Sequence, residues 1–456
     1  MTRDEARAIL RLPEKEAIDI ILFLAEKASL CDQMNRKPHP STPSGQIPAY
    51  LKKPGKKKKR KPGRKKGHAP AWRKKPSPID ARETHTLKNC PTCHTPVNGP
   101  VTSYTRCTEE IPPVNPIVTE HTIHGYWCKK CGKIMYPIIT DALPGAKIGL
   151  RLAVFTAWLH YALGVSVSNI IKILNTFRNF KISAGGLTLM WKNLAVLLQS
   201  SYDEIGAKVA HSAVLHADET GWRINGDTHW LWCFANKLYC YYTITKSRGS
   251  PVVKKVLGTV FNGILICDFY GAYNFLNALA KQRCFYHLFT ELRKVDVRNH
   301  SVCWRAFRKQ LSRLMKDALR LWTKKESMSE DDFSRLLLFL GKRLDTMIDE
   351  HHVDKDAKRI VKRLKRHRNE LFTFLSYSEV SPFNNHAEQQ MRKPVQSRKI
   401  SQQNRSMDAA HTQAVFMTLF RSAELHGLNP VETVLNLSKI LLVKQDSIDN
   451  YLKLSA

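Results

Sequence analysis

Two short apolar segments, each ending in an aspartate, place the strongest constraint on the fold of this chain. The first is Val214–Asp218, and the second is Gly263–Asp268, which ends 50 residues later. Apolar runs of this length, bounded by turn residues, are typical of buried β-strands. Each run predicts a carboxylate at the last position of its strand, where a sheet opens to solvent. If the two strands are neighbours, the carboxylates lie side by side, and their repulsion favours a cation between them.

The segments around these acids predict the order of a sheet. Trp230–Ala235 and Tyr239–Thr245 are aromatic runs separated by a short polar turn, which predicts a hairpin. Ser250-Pro251 is typical of an N-cap followed by a first-turn proline, which predicts a helix. The strand ending in Asp268 follows. This order of three strands, a helix and a strand, with acids closing the first and fourth strands, indicates a ribonuclease-H-like sheet with those two strands adjacent and parallel.

A third carboxylate is needed if the two aspartates hold catalytic cations. Carboxylate oxygens suit Mg²⁺, and a pair of such ions supports phosphodiester chemistry. Glu388, at the start of a predicted helix, is the candidate. A structural alternative stays open, because Asn385-x-x-Glu388 is close to a capping box and Glu388 with Arg392 has the spacing of an i,i+4 ion pair.

Four of the eleven cysteines form two Cys-x2-Cys pairs with 34 residues between them: Cys90, Cys93, Cys128 and Cys131. Two such turns can present four thiolates to one tetrahedral Zn²⁺ ion. The alternative is a pair of unrelated surface turns.

The N-terminus does not have the basic-then-apolar order of a signal peptide, and no apolar run approaches the ~18 residues of a membrane helix. We therefore expect a reduced, cytoplasmic protein, associated with the nucleoid, that does not bind membranes.

The charge of the chain predicts a polyanionic partner. Its 73 Lys and Arg against 39 Asp and Glu give a net charge of +34, which favours nucleic acid. Lys52–Lys75 contains fourteen Lys and Arg and no acid, so this arm is expected to lie along phosphates. The alternative is a solvated linker. The candidate DNA-binding residues of the arm are Lys56, Lys57, Lys58, Lys59, Arg60, Lys61, Arg64, Lys65 and Lys66.

The patterns predict a multidomain α+β chain. Its expected regions are N-terminal helices at 1–36, the basic arm at 37–80, the zinc module at 81–140, a helical region at 141–205, the catalytic domain at 206–405 with a helical insertion at 288–375, and a C-terminal helical tail at 406–456. The helices of 141–205 are compatible with a helix-turn-helix DNA reader and equally with a plain helical bundle.

Several motifs, taken together and in order, resemble the insertion-sequence-sixty-six type of bacterial DDE transposase over nearly the whole chain. The matching segments are Lys61–His68, the two cysteine pairs, Asp218–Thr220 with Trp222, Trp230–Trp232, Asp268–Tyr273, Cys284–His287, Asn384–Glu388 with Arg392, Arg398 and Lys399, and Gly427–Pro430. Each motif alone is only moderately specific, and their occurrence together and in this order carries the resemblance.

The resemblance implies a ribonuclease-H-like transposase in which Asp218, Asp268 and Glu388 hold two Mg²⁺ (or Mn²⁺) ions, beside one structural Zn²⁺. In that family's chemistry, water cleaves the transposon end, and the freed 3′-OH attacks target DNA. The implied partners are double-stranded DNA at transposon ends and target, further copies of the chain on DNA, and accessory proteins of the same element. The resemblance implies supporting roles for Trp232, Cys284 and His287, and DNA contacts for Arg392, Arg398 and Lys399. The competing hypothesis is a catalytically silent or repurposed zinc-containing DNA-binding protein.

Overall fold

The fold is described from a computed structural model, which covers Ile18 and residues 78–108, 116–178, 180–401 and 403–444. The chain forms two compact units, Met1–Ile111 and Pro112–Ala456. Apart from Ile18, which is helical, the predicted N-terminal helices lie outside the described residues, as do 37–77 of the basic arm. In the described part of the first unit, backbone pairing between strands is limited to the isolated bridge of Asn89 with Pro96.

The second unit contains seven strands and a larger number of helices within its described residues. The strands are β1 Tyr126–Cys128, β2 Lys133–Met135, β3 Val214–Ile224, β4 Asp227–Ala235, β5 Cys240–Thr245, β6 Val260–Cys267 and β7 Asn277–Arg283. The helices are α1 Leu150–Ala157, α2 Val167–Arg178, α3 Ala184–Leu197, α4 Gln199–Ala210, α5 Ser250–Leu257, α6 Phe285–Asp296, α7 Val302–Lys324, α8 Glu330–Asp349, α9 Lys355–Arg366, α10 Thr373–Ser376, α11 Asn385–Ser401, α12 Met407–Leu425 and α13 Pro430–Lys444.

The central sheet has the order β5-β4-β3-β6-β7. Strands β3, β4 and β5 are antiparallel, whereas β6 pairs in parallel with both β3 and β7. The predicted hairpin and the predicted parallel pairing of the two aspartate-bearing strands are therefore confirmed. Strand β7 was not predicted, because the polar residues of Asn277–Arg283 do not resemble a buried strand. The mixed α+β architecture agrees with the sequence prediction.

Strand β3 differs from the prediction in one respect that matters for the site. Asp218 is not its last residue, because β3 continues to Ile224 and Gly221 pairs with Trp230 of β4. The parallel pairing with β6 nevertheless stops at His216 opposite Ile266. Gly221 does not break the strand, since an extended glycine pairs normally when a neighbouring strand supplies its partners. Asp218 therefore lies just past the point where β6 ends, and the edge of the parallel pair is where the sequence analysis expected it.

The C-terminal helices belong to the core rather than forming a peripheral tail. Helix α12 covers the edge strand β5, where the Thr418 hydroxyl accepts the Tyr242 N–H at 3.0 Å and the Ser422 hydroxyl accepts the Cys240 N–H at 3.1 Å. Covering an edge strand removes a template for unwanted strand pairing. The side chains of α12 and α13 also share one hydrophobic cluster with α1, α3 and α4, including Phe416, Phe420 and the fully buried Trp191.

The segment between β7 and α11 is helical, as predicted. Helices α6 to α10 share a hydrophobic cluster that includes Ile264 and Ile266 of β6, so this segment packs on one face of the sheet. Trp304 is fully buried there, and its indole N–H donates to Asp296 at 3.0 Å. The packing against Ile264 and Ile266 joins the insertion to β6, the strand that Asp268 follows. Among the described residues, no helix has both the length and the apolar character needed to cross a membrane.

Candidate active site

The first two acids of the site come from adjacent strands. Asp218 lies in β3, and Asp268 directly follows the last residue of β6, Cys267. Burial raises the pKa of Asp218 well above its ordinary value, and the negative charges of Glu219, Asp268 and Glu388 raise it further. The structure therefore brings the three predicted acids close enough to repel one another, in an environment poorly supplied with water.

Asp268 is held at both its side chain and its main chain. Its Oδ1 accepts the Tyr270 N–H at 2.8 Å, and its carbonyl oxygen accepts Nη1–H of Arg283 at 2.7 Å. The Arg283 side chain is fully buried and also donates to Glu370 at 2.5 Å and Asn274 at 3.0 Å. A buried guanidinium that donates from each of its three nitrogens is a rigid support, so the backbone that carries the Asp268 carboxylate has a fixed position.

Asn384 connects the helix of the third acid to the strand of the first. This residue, immediately before α11, is fully buried. Its Nδ2 donates to the Ala217 carbonyl at 2.8 Å, and its Oδ1 accepts from Nδ1 of His216 at 3.0 Å. Its backbone N–H donates to the Cys284 sulfur at 3.2 Å. Because burial lowers the pKa of His216 to about 4, this imidazole is neutral, and its bond to Asn384 persists at physiological pH.

Glu388 lies in the first turn of α11, as predicted, but the structural alternative for it is not observed. Its Oε1 is buried and has no hydrogen-bond partner, and among the described residues no ion pair joins it to Arg392. Nδ1 of His287 lies 4.0 Å from Oε1 of Glu388 and likewise has no hydrogen-bond partner. A carboxylate oxygen that is buried and unpaired beside two other acids fits a site that receives a cation.

The predicted supporting pair, Cys284 and His287, lies next to this acid. One ligand atom from each of Cys284, His287 and Glu388 lies within 4.8 Å of the others. Cys284 is the N-cap of α6, and burial raises the pKa of its thiol, although backbone hydrogen bonds from Asn384, His287 and Tyr286 oppose this. The thiol therefore joins the starts of α6 and α11, while the imidazole faces Glu388.

Trp232, the remaining supporting residue, lies on the strand next to the one that carries the first acid. It is fully buried in β4, opposite Glu219 of β3. Its indole N–H donates to the Ser247 carbonyl at 3.2 Å, and its ring meets that of Tyr273 edge-on at 6.1 Å. Trp232 thus anchors the loop between β5 and α5 against the sheet.

The three predicted DNA-binding residues of α11 differ in their surroundings. Arg392 and Lys399 are exposed. Arg398 is half-buried and donates to the Gly221 carbonyl and, at 3.4 Å, to the Thr220 hydroxyl. Arg398 therefore attaches α11 to β3, a role that the sequence analysis did not assign to it. The predicted DNA-binding residues Lys56 to Lys66 lie outside the described residues.

The two cysteine pairs adopt the same local turn. The His94 N–H donates to the Cys90 carbonyl at 2.9 Å, and the Gly132 N–H donates to the Cys128 carbonyl at 2.9 Å. The residue after each pair has a positive φ, 56° for His94 and 64° for Gly132, a backbone conformation typical of tight turns. The second turn joins β1 to β2. Hydrogen bonds from Thr95 lower the pKa of Cys93 to about 7, which favours the thiolate.

Three residues with a clear role in the site were missed as separate candidates: His216, Arg283 and Asn384. His216 precedes Asp218 by two positions, so the strand period places both side chains on the same face, and this signal was available. Asn384 was noted only as part of a motif. Arg283 had no sequence signal, because its importance depends on a strand that the pattern does not reveal.

Two protein families match this chain. The family described as "zinc-finger binding domain of transposase IS66" matches residues 88–132, which include all four cysteines of the two pairs. The family described as "Transposase IS66 family" matches residues 146–412, which include the three acids and more than half of the 456 residues. A search of curated proteins found no match. With a zinc-finger match that precedes, along the sequence, the match containing the three acids, this chain belongs to the IS66 family of transposases.

Proposed function

We propose that this transposase has a ribonuclease-H-like catalytic core in which Asp218, Asp268 and Glu388 hold two Mg²⁺ or Mn²⁺ ions. The observation that carries the proposal is the meeting of three carboxylates from β3, the end of β6 and α11, one of them with a strongly raised pKa. Bound there, two divalent ions would activate the attacking oxygen and stabilise the leaving oxygen of an in-line phosphodiester displacement.

The proposed reaction has two steps on DNA. In the first, a water oxygen bonds to the phosphorus at a transposon end, and the bond from phosphorus to the 3′ oxygen breaks, which leaves a 3′-OH and a 5′-phosphate. In the second, that 3′ oxygen bonds to a phosphorus of target DNA and displaces the target's 3′ oxygen. The protein's part is to fix the acids: Arg283 supports Asp268, Asn384 supports α11, and Arg398 ties α11 to β3.

The experiment that tests this proposal is a nicking assay on DNA that carries the element's terminal inverted repeats. Wild type should nick with Mg²⁺ or Mn²⁺, and Asp268→Asn should not. Asp349→Asn is the matched control, because Asp349 is an exposed acid at the end of α8. Equal nicking by wild type and Asp268→Asn, or none by wild type, would refute the catalytic proposal and favour a DNA-binding protein without catalysis.

For the zinc-finger domain, we propose that Cys90, Cys93, Cys128 and Cys131 bind one structural Zn²⁺ ion. The support is the chemistry of the donors, since each pair forms a turn with its cysteines exposed or half-exposed and without a disulfide. Four thiolates complete a tetrahedral site and leave no open position for chemistry. The proposed role is therefore structural.

The proposed partners follow from charge and family. A net charge of +34 favours DNA, and we propose that the exposed residues Arg392 and Lys399, together with the basic arm Lys52–Lys75, contact its backbone. Binding of both transposon ends implies more than one copy of the chain on DNA. Accessory proteins of the same element are further candidate partners, and the expected location is the cytoplasm, on the nucleoid.

A further inference from the structure

A fourth acid, Glu219, lies beside Asp218, and its carboxylate is paired with an arginine. Its side chain is only 2% exposed. Oε2 accepts the Tyr273 hydroxyl at 2.8 Å, while Oε1 accepts Nε–H and Nη2–H of Arg248 at 3.2 and 3.0 Å. Both oxygens of Glu219 are therefore occupied by protein donors, and its charge is balanced by Arg248.

Arg248 is held in place more firmly than an ordinary surface arginine. It lies in the loop between β5 and α5, which Trp232 anchors through Ser247. Its Cζ lies 4.4 Å from the centre of the Trp230 ring and 4.2 Å from that of the Tyr270 ring. Cation–π contacts and a two-donor bond to a buried carboxylate restrict the guanidinium to one orientation.

Some N–H donors of the Arg248 guanidinium have no acceptor among the described residues. Arginine carries five N–H groups, of which Glu219 takes two, and among the described residues no acceptor is bonded to Nη1 of Arg248. The side chain is 42% exposed. Its ring partner Tyr270 donates its own backbone N–H to Asp268. Arg248 thus presents unused donors to solvent at the rim of the acid cluster, next to the elements that carry Asp218 and Asp268.

We propose that Arg248 binds a phosphate of the DNA backbone beside the acid cluster, and that Glu219 is the positioning residue that orients it. This inference rests on the proposed function, which supplies the DNA. The unused N–H donors of this preoriented, planar guanidinium match the oxygens of a phosphodiester in geometry and in charge. A phosphate contact of this kind fixes the register of DNA rather than its sequence.

The test is the salt dependence of DNA binding, measured with Ca²⁺ as the divalent ion and a duplex carrying the terminal repeats. The plot of log affinity against log salt has a negative slope, and Arg248→Gln should make it shallower by about 0.9, the value of one lost phosphate contact. Arg248→Lys should retain the slope but weaken binding, because lysine keeps the positive charge but lacks the planar, multi-donor geometry of the guanidinium. The matched control is Arg151→Gln, because Arg151 is also an exposed arginine bonded to a glutamate, Glu432. This control should leave the slope unchanged.

The outcomes separate this inference from the proposed catalysis. A purely structural ion pair predicts that Arg248→Gln lowers the melting temperature and leaves the salt slope at the wild-type value, and this result would overturn the inference. If Arg248→Gln does not fold, an affinity of Arg248→Lys equal to that of wild type would overturn it as well. Nicking is a separate readout: wild type that binds with an Arg248-dependent slope but never nicks would refute the catalytic proposal alone.

Discussion

The guanidinium of Arg283 donates to the main-chain oxygen of Asp268 at 2.7 Å and to Glu370 at 2.5 Å. Through this one buried side chain, the end of the helical insertion supports the strand end that carries a predicted catalytic acid. Glu370 is also bonded to Nδ1 of His367 at 2.8 Å. The insertion is therefore connected to the acid cluster by hydrogen bonds as well as by packing.

Removing the charge of Glu370 should destabilise the protein. Burial raises the pKa of this carboxyl, but the bonds and charges of His367 and Arg283 outweigh burial and lower the pKa from 4.5 to about 2. Glu370→Gln leaves the buried Arg283 without its anion, which should cost about 3 kcal/mol in the free energy of unfolding. Urea denaturation at pH 7 measures this loss.

The pH dependence of the same pair has a defined sign. A carboxyl with a lowered pKa contributes stability above its ordinary value of 4.5, and this contribution is lost as the pH falls toward about 2. The stability difference between wild type and Glu370→Gln should therefore shrink over that window. The exposed Glu379→Gln serves as the control. A difference that stays constant down to pH 2 would contradict the assigned ion pair.

Asp218→Asn should raise stability while abolishing nicking. Because burial and the neighbouring acids raise the pKa of Asp218, its charged form is unfavourable in the fold, and the stability present at low pH is lost as the pH rises through that pKa. Removing the charge should add about 1–2 kcal/mol at pH 7 without added Mg²⁺. Mg²⁺ should raise the melting temperature of wild type more than that of the variant. Equal stability and an equal Mg²⁺ response would count against a cation site at this acid.

Native mass spectrometry should find one zinc ion in the wild-type chain and none in Cys128→Ser. The reason is that loss of one thiolate opens a tetrahedral shell that needs four donors. Cys303→Ser is the control, because Cys303 is an exposed cysteine of α7 outside the zinc-finger domain, and it should retain the ion. A wild-type chain without bound metal would disprove the four-cysteine site.

Neutralising Lys56, Lys57, Lys58 and Lys59 with glutamine should flatten the salt dependence of DNA binding. Each phosphate contact that is lost lowers the slope by about 0.9. Lys192→Gln, which removes a surface lysine paired with Asp408, is the control. If the four-lysine variant keeps the wild-type slope, the affinity for DNA arises elsewhere in the chain.

The parts of the fold that follow from local pattern were predictable. The aromatic hairpin, the proline-led helix and the two aspartate-bearing strands each have only a weak local signal, but their order and the placement of the acids predicted the parallel pairing of β3 with β6. Strand β7 was not predictable, because its polar side chains do not form the apolar pattern of a buried strand. The role of α12 over β5 was not predictable either, because it depends on hydrogen bonds from β5 to the hydroxyls of Thr418 and Ser422, which are distant in sequence.

The residues of the candidate site also divide into those predicted from local sequence pattern and those that only the structure reveals. Asp218 and Asp268 were identified from strand ends, although β3 continues past Asp218 because β4 keeps pairing with it. Spacing alone left Glu388 between a capping role and a catalytic one, and only the three-dimensional arrangement removes the first alternative, since its Oε1 has no partner among the described residues. The supports from Arg283 and Asn384 span 15 and 167 residues of sequence, a separation that no local pattern reveals. The domain boundaries remain predictions.

The central claim is that Glu388 joins the two aspartates in acting on a DNA phosphodiester, and the nicking rate of Glu388→Gln tests it most directly. The substitution keeps the size of the side chain and removes the charge that would hold a divalent ion, so several kcal/mol of transition-state stabilisation should be lost, a decrease of about a thousandfold. The exposed Glu379→Gln should nick at the wild-type rate. A Glu388→Gln protein that is folded and nicks as fast as wild type would contradict the account.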